Sequence, residues 1–199
     1  MTKGEPSLLA QSHRQISNFI IQEMKYSNLI TLDEKQFSWG SVKPDYALPP
    51  FRRKHYMEET LEDVLEMIMT VSNATILLPS SLSEAIGEIT HYLTDFFTMP
   101  HSERWEFIKS GKTFEHITYE KRLNQKIKDK SQSIMTIPLL MSECWEKEDL
   151  RAWILDCHKK YQLKTDYEQD LLYATSVSFA VTKWIAEKRQ KPTKQIILY

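Results

Sequence analysis

Only four glycines (Gly4, Gly40, Gly87 and Gly111) occur among the 199 residues. That leaves few positions for the positive-φ turns that tight hairpins and phosphate-cradling loops require. The shortage predicts helices joined by proline-bearing and polar loops. Cysteine is scarcer still: Cys144 and Cys157 are too few to staple a chain of this size and lack the spacing of a zinc ribbon or redox pair. Both are expected to be reduced thiols. An excess of one charge is also missing, with 26 Lys and Arg against 27 Asp and Glu, so no whole-chain attraction draws the protein to nucleic acid or an anionic membrane. No membrane span is expected either. The stretch 171–186 is apolar nearly all round, but it is shorter than the ~20 residues a bilayer needs and contains Lys183. The first residues carry no apolar signal segment, so the expected compartment is cytoplasmic or nuclear.

With 41% hydrophobic and 27% charged residues, the chain lies far from the composition of disorder and should fold. Leu9, Ile16, Phe19, Ile20 and Met24 form one helical stripe, as do Leu61, Val64, Leu65, Ile68 and Val71. Glu58, Glu59, Glu62, Asp63 and Glu66 then make an ordinary solvated face, the first of them suited to the helix dipole. Ser81 with Glu84, and Thr165 with Glu168, have the form of capping boxes after the break at Pro79 and before the final helix. A short helix is predicted over 101–108, stopped by Gly111, and a weakly patterned one over 113–131. Leu150, Trp153, Ile154, Cys157 and Tyr161 form a further stripe. The expected fold is therefore all-α: a single domain over 1–199, an irregular bundle of about six to seven helices. Pro44, Pro49 and Pro50 make 33–56 a long extended connector after the first helix, and 191–199 an apolar C-terminal tail.

Signs of chemistry are sparse. Ser110 to Thr113 resembles the end of a phosphate-binding loop, but the earlier glycine that pattern requires is replaced by Glu106, whose carboxylate repels phosphate. Of the six histidines, His13, His55, His91, His101, His116 and His158, no two stand four apart as a helical zinc pair would. Convergence of His91, His101 and His116, or of Cys144 with one of them, would need the tertiary fold. No catalytic residue, metal ligand or cofactor is expected.

Binding features stand out more. Lys35 to Trp39 puts the rings of Phe37 and Trp39 two residues apart, on one side of an extended segment. This resembles the short docking motif of phosphatase-binding proteins, with Phe37 where a β-branched aliphatic is usual. Tyr46 and Phe51 continue the aromatic connector, and Ile196, Ile197, Leu198 and Tyr199 make the tail a second docking candidate for a protein partner or another copy of the chain. Basic clusters at Arg52, Arg53 and Lys54, at Lys121, Arg122, Lys126, Lys128 and Lys130, and at Lys188 and Arg189 would bind a polyanion if folding joined them. The leading expectation is a non-enzymatic protein-interaction module, an adaptor or subunit of a larger assembly. A nucleic-acid-associated helical protein is the alternative, and an enzyme with a non-local site ranks third.

Overall fold

The computed structural model describes residues 8–48, 55–99, 118–119, 121–123, 125–126, 139, 141, 145–164 and 166–190. Among them are six α-helices and one 3-10 turn, and no strand: α1 (Leu8–Ser27), α2 (Glu34–Gly40), the 3-10 turn (Lys43–Tyr46), α3 (Met57–Asn73), α4 (Pro79–Phe96), α5 (Lys147–Tyr161) and α6 (Tyr167–Gln190). The all-α bundle read from the periodicity is what the chain forms. The described residues between 118 and 126 are also helical, while the helix expected over 101–108 and the tail 191–199 lie outside the described residues.

Helix α6 is the central element. Leu171, Ala174, Val177, Val181, Trp184 and Ile185 are all buried, and it packs against α1, α3, α4 and α5. A helix apolar on most of its circumference can only satisfy itself in such a position. Its last turn closes a second helix: the Arg189 guanidinium donates to the carbonyls of Val71 (2.7 Å) and Ala74 (2.6 Å), groups that the end of α3 leaves without helical partners. Arg189→Ala is expected to lower stability by about 1.5–3 kcal/mol, the range for a hydrogen-bonded charge. A urea midpoint checks this, and an unchanged midpoint would show that water caps α3 equally well.

The acidic face of α3 is not wholly solvated. Lys147 and Arg151 of α5 pair with Glu62, and Lys147 also with Glu66, so part of this face meets basic side chains of another helix. Half-exposed pairs of this kind orient α5 more than they stabilise it.

Two local expectations change. Residues 33–56 are not simply extended: Asp33 caps α2 by accepting from the backbone amides of Lys35 and Gln36 (both 3.1 Å), and Pro44 starts the 3-10 turn instead of breaking the chain. Ser81 and Glu84 do not form a capping box, because Pro79 occupies the first turn of α4 and starts that helix two residues earlier. A reciprocal box stands at Glu146 with Asp149 at the start of α5, and Asp166 receives the amides of Glu168 and Gln169 before α6, while Thr165 of the other expected box lies outside the described residues.

Candidate metal centre

The last two turns of α4 are buried on every side, from Thr90 through Phe96, and include His91 and Asp95. Ionisable side chains in such a place are costly unless paired with each other or with a metal. The two stand four positions apart, so they share one helix face. His91 Nε2 lies 3.2 Å from Asp95 Oδ2.

Three other segments bring ligand atoms to the same point. From α1, His13 Nε2 stands 3.2 Å from Asp95 Oδ1, and the His13 and His91 rings lie 4.1 Å apart. From the residues before α3, His55 Nδ1 is 2.6 Å from Asp95 Oδ2 and 3.1 Å from His91 Nε2. From the 3-10 turn, Asp45 Oδ1 is 3.9 Å from His91 Nε2. His13, His91 and Asp95 thus form one trio and Asp45, His55 and His91 another, the ligand atoms of each lying within 4.8 Å of one another. Asp95 turns its two oxygens toward different imidazoles.

Chemistry and spacing both suit zinc. Ligands about 2.0–2.1 Å from a tetrahedral ion are about 3.3 Å from each other, close to the separations seen here. Burial first, and the nearby His13 second, hold His91 well below the usual histidine range, so its imidazole is neutral and keeps a lone pair for an ion. The tautomer is set as well. His91 Nδ1 lies 2.9 Å from the Ser41 carbonyl, which can only accept, so Nδ1 carries the proton and Nε2 faces the cluster.

Only some of the residues singled out in the sequence are among the described ones. Phe37 is fully buried, so the resemblance to a docking motif does not extend to an exposed phenylalanine. In a helix, moreover, residues two apart point different ways. Trp39 and Tyr46 are half-exposed and stack on each other at 6.1 Å. Phe51, Arg52, Arg53, Lys54, Lys128, Lys130, Ile196, Ile197, Leu198 and Tyr199 lie outside the described residues. Lys121, Arg122 and Lys126 are exposed. Lys188 covers the Trp184 ring, and Arg189 is engaged with α3.

Against the expectation of no metal ligand, the fold gathers two trios of side chains that could hold an ion. Histidine pairs do not signal this centre, because its helical pair is one histidine and one carboxylate. That signal, His91 four residues before Asp95 inside an apolar stripe, is legible in the sequence. The same spacing recurs at His116 and Glu120, which lie outside the described residues together with His101 and Cys144. His55 has Glu59 four positions on but outside any apolar stripe, and His13 and Asp45 have no local signal at all. Cys157 is a packed thiol, its pKa raised to about 11 by burial, and so a poor nucleophile.

A second buried carboxyl lies at the start of α6. Asp170 Oδ1 accepts from the Tyr161 hydroxyl at 2.7 Å, and burial raises its pKa to about 8.

Fold and site together describe an all-helical protein with a buried histidine and carboxylate cluster that could hold a metal. The model of the zinc-dependent phospholipase C family matches residues 12–168, and the chain belongs to that family. Neither the curated proteins nor the solved structures contain a match to it. His13, Asp45, His55, His91 and Asp95 all fall inside the matched span. The family overturns the non-enzymatic adaptor and its nucleic-acid-binding alternative, and it favours the third-ranked expectation, an enzyme with a site assembled from distant residues. No helix among the described residues is long and apolar enough to cross a membrane.

Proposed function

We propose that this protein is a zinc-dependent hydrolase of phospholipid phosphodiesters. The observation that carries the reading is the convergence of three imidazoles and two carboxylates, from four separate segments, inside the span the family matches. Side chains so placed would hold zinc through His13, His91 and Asp95, and through Asp45 and His55 beside them. The chemistry zinc supplies when bound is Lewis acidity toward a phosphoryl oxygen and a supply of hydroxide at neutral pH.

The chain's own residues do the rest. His91 and Asp95 lie on one rigid helix, which keeps their ligand atoms in register. His91, His13 and Asp95 are the deepest, whereas His55 and Asp45 keep 10% and 7% of their side chains exposed, so among the described residues the cluster is least covered at that edge. Asp45 and Asp95 add negative charge that balances a divalent cation. In the reaction, a water oxygen bonds to phosphorus, the bond from phosphorus to the glycerol oxygen breaks, and that oxygen takes up a proton. The products are diacylglycerol and a phosphorylated head group.

The purified chain, loaded with zinc, is expected to release a phosphorylated head group from short-chain phosphatidylcholine. Exhaustive dialysis against a chelator should abolish the activity and added zinc should restore it. A chain that retains no zinc, or that retains it without cleaving any phosphodiester, would refute the reading.

A further inference from the structure

Helices α2 and α4 cross at two glycines, and the closeness of the crossing exceeds what packing alone requires. A Cβ placed on Gly40 would stand 2.1 Å from the Glu84 carbonyl oxygen, and one on Gly87 would stand 2.2 Å from the Phe37 carbonyl oxygen. Both obstacles are backbone atoms, which cannot swing aside as the end of a side chain can. Two backbones therefore touch where most helix pairs are held 8–10 Å apart by side chains.

The metal centre lies immediately past this crossing. Ser41, the residue after Gly40, sends its carbonyl to His91 Nδ1, one helical turn beyond Gly87. Two residues later the Lys43 ammonium binds Glu84 (2.8 Å) and Glu88 (3.3 Å) of α4, and the turn it opens carries Asp45 to 3.9 Å from His91. At the other end of α2 the Asp33 amide donates to Ser83 Oγ at 2.8 Å. The segment is thus anchored on α4 at Ser83, at the glycines and at Glu84 and Glu88, and its two links to His91 lie just past the tightest anchor.

We propose that Gly40 and Gly87 are positioning residues of the metal centre: their backbone crossing seats the Ser41 carbonyl on His91 and carries Asp45 into the ligand cluster. This rests on the reading of the cluster as a zinc site. A methyl at either glycine forces the helices apart by about an ångström or more, and a hydrogen bond of 2.9 Å does not survive that separation. His91 then loses the acceptor that holds its ring and tautomer, and Asp45 recedes.

Zinc affinity of Gly87→Ala, measured by competition with a chromophoric chelator, tests the proposal. It is expected to fall about 10- to 100-fold, as when the outer partner of a zinc-bound histidine is removed. The cobalt-substituted variant should also show a changed visible spectrum. Val177→Ala, a core change in α6, serves as the control: it should lower thermal stability without altering zinc affinity or the cobalt spectrum. Nitrogen-15 NMR of the zinc-loaded wild-type chain should find a slowly exchanging proton on His91 Nδ1, a readout that holds even if Gly87→Ala does not fold. Wild-type affinity and spectrum in Gly87→Ala, or no proton on Nδ1 in the wild type, would overturn the positioning role alone. Failure of the wild-type chain to take up zinc would instead remove the site itself and this role with it.

Discussion

Replacing Asp95 with asparagine is expected to weaken zinc binding by more than about 10²-fold, because loss of an outer-shell partner alone costs 10- to 100-fold. That ratio exceeds about 2.7 kcal/mol of binding free energy. Asparagine keeps the shape of the side chain and its place on α4, so the helix and the surrounding core should persist. It lacks the charge that His13, His55 and His91 all face. Chelator competition and head-group release, measured on the same preparation, should fall together, with a near wild-type melting temperature in the metal-free state. Retained affinity would show that zinc is held without this carboxylate.

The second large effect concerns stability and pH. Asp170 is buried beside Tyr161, and desolvation raises its pKa from 3.8 to about 8, opposed by the Met99 amide. A carboxyl raised on folding favours the protonated fold. Its stabilising contribution is complete below the unfolded pKa and is lost as pH climbs toward about 8. The slope is about 1.4 kcal/mol per pH unit within that window, so several kcal/mol are at stake. Asp170→Asn cannot ionise and can still accept from Tyr161. Its urea midpoint should therefore exceed that of the wild type increasingly from about pH 5 to 8, with the gap levelling above about 8. His91 works in the opposite direction, since a histidine held neutral by burial destabilises the fold as pH falls. The histidine contribution is common to both proteins and cancels in their difference. A difference that does not change with pH would mean that Asp170 is ionised throughout.

These two carboxyls illustrate how much of the protein is legible in its sequence. The helices are, because burying one face leaves a periodic trace: the stripes at Val64 to Val71 and at Leu171 to Ile185 are buried where the spacing puts them. Asp95 is half legible. A carboxylate one turn after His91 within an apolar stripe needs a polar partner or an ion to be buried, yet the spacing alone does not reveal what else converges there. Phe37 reads wrongly because a seven-residue helix among polar residues and just before a proline-bearing stretch looks like loop. Its ring is buried among side chains distant in sequence.

By itself the sequence determined the helical class, the near-neutral charge and the central place of α6, since each follows from composition or from a period within one segment. Only the tertiary structure brought together the candidate metal ligands and the contacts that hold them. Zinc needs ligand atoms about 3.3 Å apart, and here those atoms belong to residues 13, 45, 55, 91 and 95, spread along the chain from the first helix to the end of the fourth. The fold closes that separation, with two glycines at the one place where α2 and α4 meet backbone to backbone.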